Sequence, residues 1–239
     1  MGYIRAKIEN KATKMLVDLQ PQVEDLLEME LGYRAEVRPL EDLGYVERQL
    51  LGIRSIVLNK FNEELEEASF LVYKKNIFLL NYYEILETWT LKSDLVHELG
   101  HLFSQKLNPD LDYGNVYKNL FFSSTETMEN FNQNVMIAEG FSEYLACILA
   151  KDLYNENEKN HSDGRMEALL NSPPITIANN PINANFPFNW DYYVTGFGFF
   201  RQMCTFQEDK VEGAKSLVAF PKREALTFFA ETIVVEYFS

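Results

Sequence analysis

Cysteine is scarce in this chain, with Cys147 and Cys204 as the only two among 239 residues. Neither belongs to a C-x-x-C pattern, so the sequence argues against a disulfide framework and against a zinc site built from thiolates. Histidine is also rare, with three copies in the chain. Two of these three histidines fall within a single stretch of five residues, which makes that stretch the first place to look for chemistry.

Long apolar segments are missing as well. No apolar run approaches the roughly 20 residues of a membrane-spanning helix. The first residues, MGYIRAKIENKATKML, lack the apolar core of a secretory signal, and Gly2 is followed by Ala6 where a myristoylation signal has Ser or Thr. We therefore expect a cytoplasmic protein with no membrane partner.

Basic residues are outnumbered, since 22 Lys and Arg stand against 36 Asp and Glu and give a net charge of −14. Nucleic acids and anionic membrane surfaces are bound through basic patches. The charge balance thus predicts that neither is a partner. A solvated acidic surface is sufficient to explain the negative net charge. The 46% hydrophobic and 14% aromatic content is typical of a globular protein.

The motif that the chain does contain is His97-Glu98-Leu99-Gly100-His101. It lies in a predicted helix over residues 91–107, because Leu and Phe recur at three- and four-residue steps. Histidines four apart share a helix face, with Cβ atoms about 5–6 Å apart, and both can reach one Zn²⁺. Glu98 lies about 100° round the helix, where it can contact a metal-bound water. H-E-x-x-H is typical of metal-dependent hydrolases, and the alternative is an amphipathic helix with two hydrogen-bonded or solvated histidines.

Hydrophobic periodicity predicts further helices along the chain. They cover residues 3–31 (broken or restarted at Pro21, with a stop at Gly32), 128–154, 192–206 and 211–238 (interrupted by Pro221). Residues 41–67 are ambiguous and favour a helix. The polar segment 155–190 predicts a long loop that is either a functional lid or mobile.

Two stretches are rich in β-formers, 33–40 as a short strand and 69–80 as a hairpin or one long bent strand. An edge strand just before the HELGH helix would be able to pair with an extended substrate, or it is an ordinary sheet strand. The predicted fold is α+β. Residues 1–110 form an N-terminal sub-domain with a small mixed sheet and the HELGH helix, and residues 111–239 form a mostly helical C-terminal sub-domain.

A third metal ligand is predicted on the helix from residue 128. Glu139 and Glu143 are four apart and share a face beside an apolar stripe, where a carboxylate is costly to bury unless it is paired or binds a metal. We interpret Glu139 as the third ligand and Glu143 as an acceptor for the ring N–H of a zinc-bound histidine, His97 being the first choice. Gly140 would let the helix that carries Glu139 approach the HELGH helix closely. The alternatives are that both glutamates are surface residues, or that His161 is the ligand, although its polar surroundings favour the surface.

The HELGH helix followed by an E-G-x-x-E-Y helix resembles the gluzincin zinc metallopeptidases, specifically the peptidase MA-like group and its compact members. The resemblance extends to Tyr193-x-x-Gly196-x-x-Phe199, and it covers about 91–107, 135–150 and 190–203. It implies a zincin-like fold and points to Tyr193 as the donor to the reaction's oxyanion. Tyr192 is the rival, and simple helix packing is the alternative for both tyrosines.

The expected activity is hydrolysis of peptide bonds in a peptide or protein substrate. Zn²⁺ held by His97, His101 and Glu139 would activate a water, and Glu98 would act as general base. Two non-enzymatic alternatives remain open. The first is a non-catalytic zinc module, in which the zinc is a structural staple or the site is latent and blocked by the chain's own 155–190 segment or C-terminus. The second is a binding or sensor module on a peptidase scaffold.

Overall fold

A computed structural model describes residues 2–39, 42–44, 70–73, 75–79, 90–111, 125–172, 190–221 and 225–226. The α-helices in these ranges are α1 (Gly2–Leu27), α2 (Thr90–Leu107), α3 (Thr125–Tyr144), α4 (Glu156–Asn171), α5 (Trp190–Thr205) and α6 (Lys210–Ala219). The strands are β1 (Glu36–Pro39), β2 (Phe70–Tyr73) and β3 (Asn76–Leu79). Short 3-10 turns span Pro109–Leu111 and Lys151–Leu153, and a π-helical turn, Leu145–Leu149, continues α3.

The three strands form one small sheet in the order β1-β3-β2. β3 pairs in parallel with β1 and antiparallel with β2, so the predicted small mixed sheet and the hairpin over 69–80 are confirmed. The described chain is mostly helical with this sheet, an α+β arrangement in the broad sense. β3 is the last described strand before the HELGH helix and is paired on both sides. It is therefore not an edge strand, and among the described strands the outer positions belong to β1 and β2.

Helix α1 differs from its prediction at Pro21, where a break was predicted, and at Gly32, where the end of the helix was predicted. The helix continues through Pro21 and ends at Leu27, where Glu28 takes a φ of 49°. Gly32, with a φ of 80°, lies in the following turn and does not end the helix. The predicted break is wrong because one buried apolar face continues past the proline, formed by Leu16, Leu19, Val23 and Leu27. The predicted stop is wrong because the backbone already leaves the helical conformation at Glu28.

The long loop predicted over 155–190 is wrong in its first half, which is helix α4. Asn155 caps α4 by accepting from the backbone N–H of Glu158, whose side chain in turn accepts from the Asn155 N–H. This capping box starts a helix that has little apolar periodicity, which is why the hydrophobic pattern did not predict it. Residues 173–189 lie outside the described residues, as do most of 41–67 and all of 227–239.

The other predicted helices are confirmed where they are described. The helix predicted over 91–107 is α2, and those predicted over 128–154 and 192–206 are α3 with its π turn and α5. None of the described helices is long and apolar enough to cross a membrane. α2 lies at the centre of the described structure, in contact with α1, β2, α3, α4 and α6.

Small residues let the central helices approach closely. A Cβ added to Gly140 of α3 would lie 2.3 Å from the backbone carbon of Gly196 in α5, and one added to Gly196 would lie 2.1 Å from the Met136 carbonyl oxygen. The contact predicted for Gly140 with α2 is therefore wrong, because Gly140 faces α5. The close approach of α2 to α3 depends instead on Gly100, where an added Cβ would lie 2.7 Å from the Cα of Ser142.

Replacing Gly140 with alanine should destabilise the protein by about 1–3 kcal/mol, because the added methyl meets backbone that cannot rotate away. Thermal unfolding measures this loss. Gly164→Ala is the matched control, since Gly164 lies within α4 and has nothing within 4 Å of an added Cβ. That control should be neutral or stabilising by up to about 1 kcal/mol. Equal melting temperatures for Gly140→Ala and the parent would contradict the close packing of α3 on α5.

Candidate metal centre

Helix α2 places His97 and His101 one turn apart on a buried face. Their Nε2 atoms lie 3.0 Å from each other, and the two rings meet at an interplanar angle of 80°. Both histidines are almost fully buried, with 4% of each residue exposed. The i, i+4 spacing of the motif thus directs two imidazole nitrogens to one point, as the helical geometry predicted.

Helix α3 brings Glu139 to the same point. Its Oε2 lies 3.3 Å from Nε2 of His97 and 3.3 Å from Nε2 of His101, and the side chain is only 2% exposed. The ligand atoms of the three residues all lie within 4.8 Å of one another. Two imidazole nitrogens and one carboxylate oxygen that converge in this way can hold a metal ion.

Electrostatics within the cluster favour opposite charges on its protein groups. Burial lowers the pKa of His97, but the Glu143 carboxylate and hydrogen bonds to Glu139 and Glu143 outweigh it and raise the pKa to about 10. Burial raises the pKa of Glu139, but His101 and His97 outweigh it and hold that pKa well below its usual range. The site therefore keeps an ionised carboxylate in a buried position, where it is costly unless it is paired or binds a cation.

Glu143 lies one turn beyond Glu139 and is 0% exposed. Its Oε1 is 3.1 Å from Nδ1 of His97, the ring that the sequence suggested for it. Burial raises the pKa of Glu143, but the Arg165 guanidinium and His97 outweigh it and lower the pKa to about 2. Glu143 is thus an ionised carboxylate that lies against Nδ1 of His97, whereas Nε2 of the same ring lies near Glu139 and His101.

Arg165 of α4 is the site residue that sequence reasoning missed. Its Nε donates to Oε2 of Glu143 at 2.9 Å, and a terminal N–H donates to Oε1 of the same carboxylate. A second terminal N–H group donates to Asp94 Oδ1 of α2 at 3.2 Å. The Asn155 capping box was a sequence signal for α4, but no local pattern indicates which neighbour Arg165 contacts.

Glu98 is buried beside the three ligands without belonging to their group. Burial raises the pKa of its carboxyl, and the charges of His97 and His101 oppose that rise. Glu98 is therefore within electrostatic reach of both histidines.

The two candidate tyrosines have different surroundings. The Tyr193 ring stacks on His97, with ring centroids 5.8 Å apart and planes 13° from parallel. Burial raises the pKa of Tyr193 well above its usual value, and the charges of Glu139 and Glu98 raise it further, so its hydroxyl stays protonated. Tyr192 is buried in the hydrophobic core. His161, the rival ligand, lies on α4 and is not in the group that could hold an ion among the described residues.

No protein-family model, curated protein or solved structure matches this chain. The resemblance to the gluzincins therefore stays a prediction, based on the HELGH motif, the Glu139 helix and the Tyr193 helix. What the site can do has to follow from its own geometry and chemistry.

Proposed function

We propose that this protein is a zinc-dependent peptidase of the gluzincin type with a zincin-like fold. The observation that carries the proposal is the spacing of His97, His101 and Glu139, whose ligand atoms are 3.0–3.3 Å apart. Ligands about 2.0–2.1 Å from a tetrahedral Zn²⁺ are separated by about 3.3–3.4 Å. The observed spacing of 3.0–3.3 Å is close to that separation and supports a tetrahedral zinc site.

The number and kind of the ligands favour a catalytic zinc over a structural one. Structural zinc sites use four protein ligands, whereas catalytic sites use three and leave the fourth position to water or substrate. In the part of the chain that the structure describes, the candidate group has three members, two histidines and one glutamate. His₂Glu is one of the known catalytic ligand sets.

A zinc ion in this site would polarise the scissile carbonyl and lower the pKa of a water. Glu98 would take a proton from the attacking water and pass it to the amine that leaves. In support of this role, Glu98 is buried on the same helix as both histidines and interacts electrostatically with each of them. The Tyr193 hydroxyl would donate to the oxyanion that develops on the substrate, and Glu143 would orient His97.

Metal analysis and a chelator test address this proposal directly. We expect the purified protein to contain about one zinc per chain, as its three-ligand site requires. It should also cleave members of a quenched-fluorescence peptide library, lose that activity with a chelator and regain it with added zinc. A protein that binds zinc but cleaves no peptide in the library would support the latent or binding-module alternative.

Glu139→Ala should weaken zinc binding by at least the 10–100-fold that is typical of losing a residue outside the ligand shell. The reason is that a carboxylate 3.3 Å from both histidine nitrogens is removed. Competition with a chromophoric chelator measures the affinity. Glu167→Ala, an exposed position on α4, is the matched control and should bind zinc like the parent. A parent-like affinity in Glu139→Ala would move the third ligand elsewhere.

A further inference from the structure

Arg165 crosses from α4 to the site without being one of its ligands. Its side chain is 23% exposed and its guanidinium contacts two carboxylates, Glu143 on α3 and Asp94 on α2. Neither carboxylate belongs to the group that could hold an ion. Among the described residues, these hydrogen bonds of Arg165 thus reach the candidate ligands through the two carboxylates.

The contact with Glu143 is bidentate, since both carboxylate oxygens accept from the guanidinium. A forked contact of this kind fixes the plane of a carboxylate as well as its distance. Oε1 is the oxygen that Arg165 shares with His97, because it also lies 3.1 Å from Nδ1. The guanidinium thus contacts Oε1 of Glu143, the same oxygen atom that lies against Nδ1 of His97.

The contact with Asp94 fixes the guanidinium from the other side. Asp94 lies on α2 three residues before His97, on the same face of the helix. Its Oδ1 accepts from Arg165 at 3.2 Å. The guanidinium is therefore held between α2 and α3, the two helices that supply His97, His101 and Glu139.

We propose that Arg165 is a positioning residue for the metal site and acts through Glu143. It holds the Glu143 carboxylate so that Oε1 stays against Nδ1 of His97 and directs Nε2 of that ring to the metal. Without the guanidinium, the glutamate side chain would be free to rotate, and its carboxylate would be buried without the cation that offsets the cost of burial. This inference depends on the proposed zinc site and adds to it a residue from a third helix.

Zinc affinity of the full chain tests the inference without reference to catalysis. Arg165→Met should weaken zinc binding by about 10–100-fold, the range known for outer partners of metal-bound histidines. Arg165→Lys should recover part of the loss, because lysine keeps the charge but cannot form the fork. Lys151→Met is the matched control, since it also removes one positive charge and breaks an ion pair with a residue of α4, Asp163. It should bind zinc like the parent.

A double-mutant cycle tests whether the effect passes through Glu143. In a Glu143→Gln background, Arg165→Met should change zinc affinity by about two-fold or less, because the residue it acts through has already been altered. A loss as large as that in the native background would overturn the proposed route. A general structural role would instead lower the melting temperature in both backgrounds and leave the affinity unchanged.

The remaining outcomes separate this inference from the proposed function. A parent protein without measurable zinc affinity would overturn both. A parent that binds zinc, with Arg165→Met equally tight, would overturn the positioning role alone. If Arg165→Met does not fold, Arg165→Lys and Asp94→Asn decide, and zinc affinities equal to the parent's in both would overturn the role.

Discussion

Replacing Glu98 with glutamine is expected to lower peptide hydrolysis by about 10²–10⁴-fold, the usual contribution of a general acid–base group. Glutamine keeps the size and shape of the side chain but cannot accept the proton of an attacking water. The zinc content should stay that of the parent, because Glu98 is not one of the three converging ligands. Steady-state rates on a cleaved peptide, together with metal analysis of the same sample, measure both quantities.

The control for Glu98→Gln is the same chemical change at an exposed position, Glu167→Gln on α4. It should hydrolyse peptides at the parent rate. Parent-like hydrolysis by Glu98→Gln would show that another group moves the proton. Loss of zinc together with activity would place Glu98 among the ligands and would require a different interpretation of the motif.

The part of the site that was accessible from sequence is the part set by local helix geometry. His97 and His101 are four residues apart, as are Glu139 and Glu143, so each pair had to share a helix face once its helix was predicted. The prediction that the two faces meet came from the cost of burying Glu139 beside apolar residues. The structure brings its carboxylate within 3.3 Å of both histidines.

The parts that were not accessible depend on contacts between distant segments. α4 is polar and lacks an apolar stripe, so periodicity indicated a loop although the Asn155 capping box was present. Gly140 was correctly marked as a close contact, but its partner is Gly196 rather than α2. In α1 the burial of a continuous apolar face outweighed the local effect of Pro21. For Gly140 and Pro21 the missing information was the identity of the packing partner, whereas for α4 it was a capping box that hydrophobic periodicity does not register.

Packing partners also distinguish the two tyrosines, which local patterns treat as near equivalents. Adjacent residues on a helix point about 100° apart, so Tyr192 and Tyr193 cannot both face the ligands. The structure stacks the Tyr193 ring on His97, while Tyr192 packs in the core. That difference makes the tyrosine pair a controlled comparison, in which neighbouring residues of one type occupy different surroundings.

Tyr193→Phe should lower kcat and kcat/KM alike by about 10²–10³-fold, the typical result of removing one donor to an oxyanion. The two fall together because the hydrogen bond forms only in the transition state, so KM should change little. Phenylalanine keeps the ring that stacks on His97, and zinc affinity should stay that of the parent. Steady-state kinetics and chelator competition on the same preparation measure the rate and the affinity.

Tyr192→Phe is the neighbouring control, and we expect it to retain parent kinetics because its ring lies in the core. If Tyr192→Phe loses activity and Tyr193→Phe does not, the oxyanion donor is Tyr192 and the stacking of Tyr193 on His97 is only packing. If neither substitution changes kcat, neither of these two phenols contributes to the transition state, and zinc or another donor would have to stabilise the oxyanion. A rise in KM at constant kcat for Tyr193→Phe would instead assign Tyr193 to substrate binding.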